Sequence, residues 1–243
     1  MDRLLERPPA EFDDYAADYD GGIGQPLKKC LGGDAVSFVA VKAEWLLGSM
    51  RRRWGLDPAR KDIQLLDYGC GVGTLLGVLR RQGYAGGLAG CDVSTAMLAE
   101  AQRRWSSGPP PQLSVIEDGR VPWGSQFDLV VASAVLHHVE PSLRPAVYRD
   151  LLRLVKRGGC VCVFEHNPLN LVTGWVVRHT AIDKNAILLR PAEVRASLAE
   201  AGATRLGTEY LIFFPPRWRF FRTLERGLSW SPLGAQYVVC ATR

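Results

Sequence analysis

One segment limits what this chain can fold into more than any other. It is a short apolar run that ends in an acid and breaks at once into alternate glycines: Leu65-Leu66-Asp67-Tyr68-Gly69-Cys70-Gly71-Val72-Gly73-Thr74. A short apolar run bounded by turn residues reads as a buried strand. Glycines after it free the bend from the steric limits on other residues, so backbone can close against a ligand before a helix opens. The flanking sequence repeats the pattern. Strands are expected at 63–68, 88–93, 112–117, 127–133 and 160–165, with helices at 74–82, 94–105 and 142–155 between them. Ser94 is placed to cap the second of these helices. A helix opening on Pro191 and ending before Gly202, then strands near 204–214 and 235–242, complete the series. Strands alternating with helices argue for an α/β fold with a parallel, helix-covered sheet.

Residues 61–243 are therefore expected to form one Rossmann-like domain, and residues 1–60 a helical N-terminal cap. Within the cap, 37–54 has apolar residues at helical spacing and ends in Arg51-Arg52-Arg53. Two stretches, 166–190 and 215–234, do not fit the alternation and are expected to be insertions beside the acceptor site.

The turn also indicates a ligand. Asp92 ends the second strand, where an acid can accept both hydroxyls of a ribose. A dinucleotide fold wants GxGxxG to rest a pyrophosphate on the helix N-terminus, whereas Thr74 stands here in place of the third glycine. Asp67 just before the bend would repel a pyrophosphate but suits an ammonium group. A ligand with a cation near the turn and a ribose one strand along is implied, and S-adenosylmethionine fits that description. The alternative is an α/β domain whose glycines only tighten the chain.

LLDYGCGVGTLL, CDVS, FDLVVASAVLHHV and LLRLVKRGGCVCVFEHNP follow one another in an order that resembles the class I S-adenosylmethionine-dependent methyltransferases. The resemblance covers roughly 62–165 and extends weakly to the C-terminus through PLGAQYVV at 232–239. It implies a seven-stranded, mostly parallel sheet of order 3-2-1-4-5-7-6, the seventh strand antiparallel, with helices on both faces. It also implies site residues. Asp67, Gly69, Cys70 and Gly71 would line the amino-acid moiety of the cofactor, with Gly73 shaping the turn. Asp92 would hold the ribose, Val93 and Met97 would pack near the adenine, and Asp118 with the Gly119 backbone would reach the adenine amino group. Ser133 and Val135 would lie under the methionine arm. Phe12 to Asp20 resembles the family's segment that folds over the cofactor, which would place Tyr19 against the cofactor carboxylate; a solvent-facing acidic helix with a core tyrosine is the competing reading.

Methyl transfer needs an acceptor atom held in line with the methyl group, water excluded, and usually one proton removed. Histidine suits the last task because it titrates near neutrality. His137 and His138 follow the fourth strand and His166 ends the fifth, where strand C-termini face the ligand crevice; these three are the candidate bases. His179 lies in the 166–190 insertion and would contact substrate only from a lid. The Asn/Asp-Pro-Pro-aromatic motif of amino-purine and glutamine N-methyltransferases is replaced by AVLHHV, and the clustered acids of metal-dependent catechol methylation are missing after the fourth strand, so no metal is expected.

Composition decides what remains. The chain of 243 residues is 47% hydrophobic and 23% charged, as in globular domains. No apolar run reaches membrane-spanning length and the charged N-terminus lacks a leader's apolar stretch, so a cytoplasmic protein is expected. The six cysteines are scattered without metal-knuckle spacing and are expected to be reduced and buried. A net charge of +5 allows an anionic partner without demanding one, and nucleic acid is not expected. The aromatic and basic segment 213–230 is expected to be a packed insertion; an acceptor lid or a peripheral membrane contact are the other readings. The expected activity is methylation of a small metabolite or natural-product intermediate. Methylation of RNA or protein, and a catalytically silent cofactor-binding scaffold, are the alternatives.

Overall fold

The strands at the centre of this protein are apolar on both sides because both faces of the sheet are covered. The computed structural model describes residues 35–180 and 185–243. In it β1 (Gln64–Tyr68), β2 (Gly87–Asp92), β3 (Gln112–Val115), β4 (Phe127–Ser133) and β5 (Val155–His166) run parallel, and β6 (Thr204–Leu211) and β7 (Gln236–Thr242) close the sheet. The order is β3-β2-β1-β4-β5-β7-β6, with β7 antiparallel to both β5 and β6. This is the sheet that the sequence motifs imply.

Alternation divides the strand residues between two cores. Leu66, Tyr68, Val130, Ala132, Val161 and Val163 face one, against Tyr148, Leu151 and Leu154 of α4 (Arg144–Leu154) and Val194 and Leu198 of α6 (Pro191–Glu200). Leu65, Leu129, Val131, Cys160, Cys162 and Phe164 face the other, against α1 (Ala35–Arg53) and α2 (Thr74–Arg81). Leu46 and Met50 bury α1 in that second core, and Trp45 meets Phe164 edge-on at 5.5 Å between ring centroids. The Trp45 indole also donates to Glu209 on β6 at 3.0 Å, which fixes α1 across the sheet. α3 (Thr95–Arg104) follows β2 and buries Met97 and Ala101.

The chain runs outward from β1 through β2 to β3, then returns to the other side of β1 with β4. That reversal leaves a crevice at the C-terminal ends of β1 and β4, the usual place for a ligand in open α/β sheets. The five cysteines among the described residues are free thiols, as expected; Cys30 lies outside those residues.

Several boundaries shift, among them the third strand, which ends at Val115, and the sixth, which ends at Leu211. The fifth strand begins at Val155, not Cys160, because Val155 pairs with Phe127 before the register slips and resumes at Leu129 and Cys160. α4 begins at Arg144, since the Ser142 hydroxyl is taken up by Glu140 and Pro145 opens the helix instead. The 166–190 stretch holds α5 (Leu171–Arg178), whose first turn is capped by Asn170 Oδ1 accepting from the Thr173 amide at 2.9 Å. The 215–234 stretch holds α7 (Arg222–Leu228). The proposed N-terminal cap is described from Ala35 onward as the single helix α1.

Ser94 tests the local logic. Its Oγ accepts from the Met97 amide at 3.0 Å at the start of α3. Ser94→Ala should cost about 1 kcal/mol, read as a fall in thermal midpoint of roughly 2–4 °C for a chain of this size.

Candidate functional site

The bend after β1 is built from backbone that only glycine adopts at ease. Gly69 and Gly71 have φ of 74° and 51°. The amides of Gly69 and Cys70 both donate to the carbonyl of Cys91, at 2.7 and 2.9 Å. The Gly71 amide donates to Asp92 Oδ2 at 2.8 Å, and the Ser94 amide donates to Oδ1 at 3.0 Å. Asp92 is thus oriented by two amides. A Cβ on Gly69 would lie 2.5 Å from Val135, so the bare backbone also lets the turn after β4 close against it. Gly73 is the N-cap of α2, behind the bend, where a Cβ would meet Ala101 at 3.2 Å; it shapes the turn and lines neither of the cavities described next.

Two cavities open on this bend and share Gly69 and Ala134. The larger, of about 1070 Å³, is bordered by Gly71, Asp92, Val93, Met97 and Val135, with Asp118 and Gly119 at one rim and His138 at the other. Asp118 and Gly119 enter it because both adopt left-handed backbone, φ 49° and 70°, in a tight turn closed by reciprocal hydrogen bonds between Glu117 and Arg120. The smaller, of about 350 Å³, has Lys42, Asp67, Cys70, Ser133 and His166 along one side. Its other walls are apolar, from Phe38 and Val39 of α1, Val172 and Val176 of α5, and Phe213 and Phe214. Ala134, at the shared rim, is a non-glycine residue at φ 60°, a strained conformation held by the hydrogen bond that its N–H donates to the Phe164 carbonyl at 2.8 Å.

The charges are arranged unevenly. Asp67 is 2% exposed, and its Oδ1 has no hydrogen-bond partner among the described residues. Burial pushes its carboxyl up to about 7, against the pull of Lys42 and with the push of Asp92. Lys42 is itself 4% exposed and donates to Ser133 Oγ at 2.9 Å. The Cys70 thiol is driven well up by burial and by Asp67 and Asp92, so it stays protonated.

The three histidines divide. His137 does not border either cavity; it is 1% exposed, and its Nδ1 meets Glu165 Oε2 at 2.5 Å. Glu165 Oε1 accepts from the amides of Val135 and Leu136 at 3.2 and 2.8 Å. Burial would raise the Glu165 carboxyl, but His137, His166 and the Leu136 amide outweigh it and hold it below its usual value. His137 and Glu165 therefore pin the turn after β4 from behind. His138 faces the larger cavity, and His166 faces the smaller one with its ring 5.1 Å from that of His137. His179 packs on Trp175 at the end of α5 and borders neither cavity. Tyr19 lies outside the described residues.

Three residues of the site were not legible as such. Lys42 looks like one charge on an amphipathic helix, and only the packing of α1 carries it to Asp67. Glu165 reads as the end of a strand. Gln236, on β7, is 7% exposed, places Nε2 3.5 Å from His166 Nδ1, and has an Oε1 without a partner among the described residues. The one signal for Lys42 and Gln236 was a polar residue inside an otherwise apolar run.

Residues 65–159 match a family described as a methyltransferase domain. An uncharacterised methyltransferase of Mycobacterium tuberculosis is 36% identical over 120 residues, covering 46% of this chain and 58% of the relative. The chain thus matches somewhat over half the length of that curated relative. Among solved structures, a methyltransferase of Thermotoga maritima described as a possible histamine N-methyltransferase has a TM-score of 0.65 at 15% identity, covering 95% of this chain and 97% of its own. The methyltransferase bound to the Trm112 activator of Haloferax volcanii has a TM-score of 0.65 at 17% identity, covering 97% and 99%. At these identities the structures share the fold.

The His137–Glu165 pair gives a stability test. Glu165→Gln keeps an oxygen for the Val135 and Leu136 amides but loses the charge facing His137, and should destabilise by about 2 kcal/mol in denaturant unfolding at neutral pH. Because the native carboxyl is held below its unfolded value, the native pair stabilises above the unfolded pKa and loses that contribution as pH falls through the folded one. The gap between wild type and variant should therefore narrow in acid. A variant equally stable at neutral pH would show that the pair does not hold the turn.

Proposed function

We propose that this chain is a class I S-adenosylmethionine-dependent methyltransferase that transfers the methyl group of that cofactor to a small-molecule acceptor held in the cavity beside His166. One observation carries the reading. A buried Asp92 carboxylate, tied to the Gly71 amide at 2.8 Å, borders the same cavity as the glycine bend, as a nucleoside site requires.

The residues present fit the cofactor. The Asp67 oxygen is a buried acceptor without a hydrogen-bond partner among the described residues, and the bare backbone of Gly69 borders both cavities. Asp67 would take the ammonium group and Lys42 the carboxylate of the methionine end, with Cys70 and Ser133 beside them. Asp92 would hold the ribose hydroxyls. Val93, Met97, Asp118 and Gly119 would enclose the adenine, and Val135 would lie under the arm. When bound, S-adenosylmethionine supplies an electrophilic methyl group on a sulfonium sulfur. The chain's own work is to orient the acceptor, exclude water and receive a proton. The apolar walls from Phe38, Val172, Val176, Phe213 and Phe214 exclude water. His166, which lines the same cavity as Asp67, is placed to accept the acceptor proton, and the unpartnered Gln236 oxygen is placed to accept a hydrogen bond from an acceptor hydroxyl or amine. His138 faces the cofactor side, and His137 acts by holding the turn.

Binding can be read without knowing the acceptor. Calorimetry with S-adenosylhomocysteine, which carries the same amino-acid and ribose groups, should show saturable one-site binding. Asp92→Ala and Lys42→Met should each weaken it at least tenfold. Asp67 adds a pH signature. An ammonium partner needs its carboxylate ionised, and burial pushes the Asp67 carboxyl up to about 7. Affinity should therefore rise by up to about tenfold per pH unit as pH climbs toward 7, then level off. Asp67→Asn should bind weakly with that rise removed. No heat with the wild-type chain at pH 8 would end the assignment.

A further inference from the structure

The acceptor cavity opens onto a face that is apolar where it meets solvent. Leu171 is 86% exposed and Phe220 is 77% exposed, and Leu169, Trp175, Trp218 and Leu233 are exposed as well. They lie together. Asn170 donates to the Leu233 carbonyl at 2.7 Å, joining the start of α5 to the end of the 215–234 insertion. Phe214 stacks on Phe221 at 4.4 Å, and Phe221 in turn contacts Phe220 and Trp218, with centroids at 4.3 and 5.9 Å. Val172, half exposed, is both part of this face and a wall of the acceptor cavity, which Phe214 also lines. Exposed apolar residues thus flank the cavity on both sides, next to Val172 on α5 and through the Phe214–Phe221 stack on the other segment.

Its charge is one-sided. The two segments that form the face, 167–180 and 212–234, contain five arginines and one glutamate. That glutamate, Glu225, is turned inward, where Oε1 accepts from the Phe213 and Phe214 amides at 2.9 and 3.0 Å. Arg178, Arg217 and Arg226, in the same two segments, are exposed. A second copy of the chain would bring like charges together across a two-fold contact. A surface of anionic headgroups over an apolar layer complements both features at once, since apolar side chains enter the headgroup boundary and basic ones meet the lipid charge. α5 has eight residues and spans about 12 Å, against roughly 30 Å of hydrocarbon; among the described residues no helix is long and apolar enough to cross a membrane.

We propose that this face docks on the surface of an anionic lipid bilayer and presents the mouth of the acceptor cavity to it, so that the acceptor is a membrane-resident amphiphile whose apolar part enters between α5 and the Phe213–Pro216 segment. The acceptor half of this proposal rests on the methyl-transfer reading; the docking half does not.

Flotation of the full-length chain with vesicles tests it. With roughly one third phosphatidylglycerol in phosphatidylcholine the chain should float, and with phosphatidylcholine alone it should bind at least tenfold more weakly. Leu171→Asp combined with Phe220→Asp should abolish flotation, and Arg217→Glu combined with Arg226→Glu should weaken it by roughly tenfold or more. None of these four residues belongs to the proposed cofactor site, so S-adenosylhomocysteine binding should be unchanged in both variants, which also reports that they fold. A wild-type chain that stays with the unbound fraction in both vesicles overturns the docking, as does flotation that both variants retain. A concentration-dependent dimer in sedimentation that Leu171→Asp dissociates also overturns it, and assigns the face to a second copy. Cofactor binding without flotation sinks the docking and leaves methyl transfer standing. Flotation without cofactor binding does the reverse.

Discussion

A carboxylate buried without a partner is among the least comfortable groups a folded protein can hold, and the oxygen of Asp67 is the constraint around which this site is organised. Three buried acids stand toward the C-terminal ends of β1, β2 and β5. Asp92 is satisfied by the amides of Gly71 and Ser94. Glu165 is satisfied by two amides and His137. Asp67 alone of these three keeps an oxygen unpaired among the described residues, and it is the one that borders the smaller cavity. The first two are fixtures that hold backbone in place. The third is poised for a ligand.

The fixtures explain the shape of the crevice. Asp92 draws the bend after β1 toward β2, while Glu165 draws the turn after β4 toward β5. The two turns then meet where Gly69 has no side chain and Val135 lies against it. Ala134, forced into a left-handed conformation, forms the rim where the two cavities join. A side chain on Gly69 or a slack Glu165 would act on the same place, because both move the boundary between the nucleoside side and the acceptor side.

The acceptor side is enclosed by parts of the chain outside the β-α alternation: α1, α5 and the Phe213–Pro216 segment. These elements hold the apolar walls of the cavity, which exposed Leu171 and Phe220 flank. The sheet thus supplies the polar, oriented groups, and the insertions supply the apolar enclosure and the exposed face. That division follows from position: strand ends are held by ladders on both sides, whereas insertions are held at their roots.

How much the sequence settled differs by element. Leu65 to Thr74 determined the strand, the bend and the helix after it, because φ above zero at Gly69 and Gly71 is a local requirement that local residue types reveal. Period and apolar runs likewise determined the sheet strands, and Ser94 its own cap. The boundary errors at Val155 and Ser142 came from contacts the period does not carry, a strand pair with Phe127 and a hydroxyl captured by Glu140. Pairings distant along the chain were decided by tertiary structure alone. Lys42 and Ser133 are 91 residues apart and His137 and Glu165 are 28 apart, and no local pattern says which polar side chains will meet. The same holds for which histidine faces which cavity, since three neighbouring rings are sorted by the twist of the sheet and the packing of the turns. Backbone conformation is written residue by residue; the partner of a buried charge exists only once the sheet has brought distant strands to one edge.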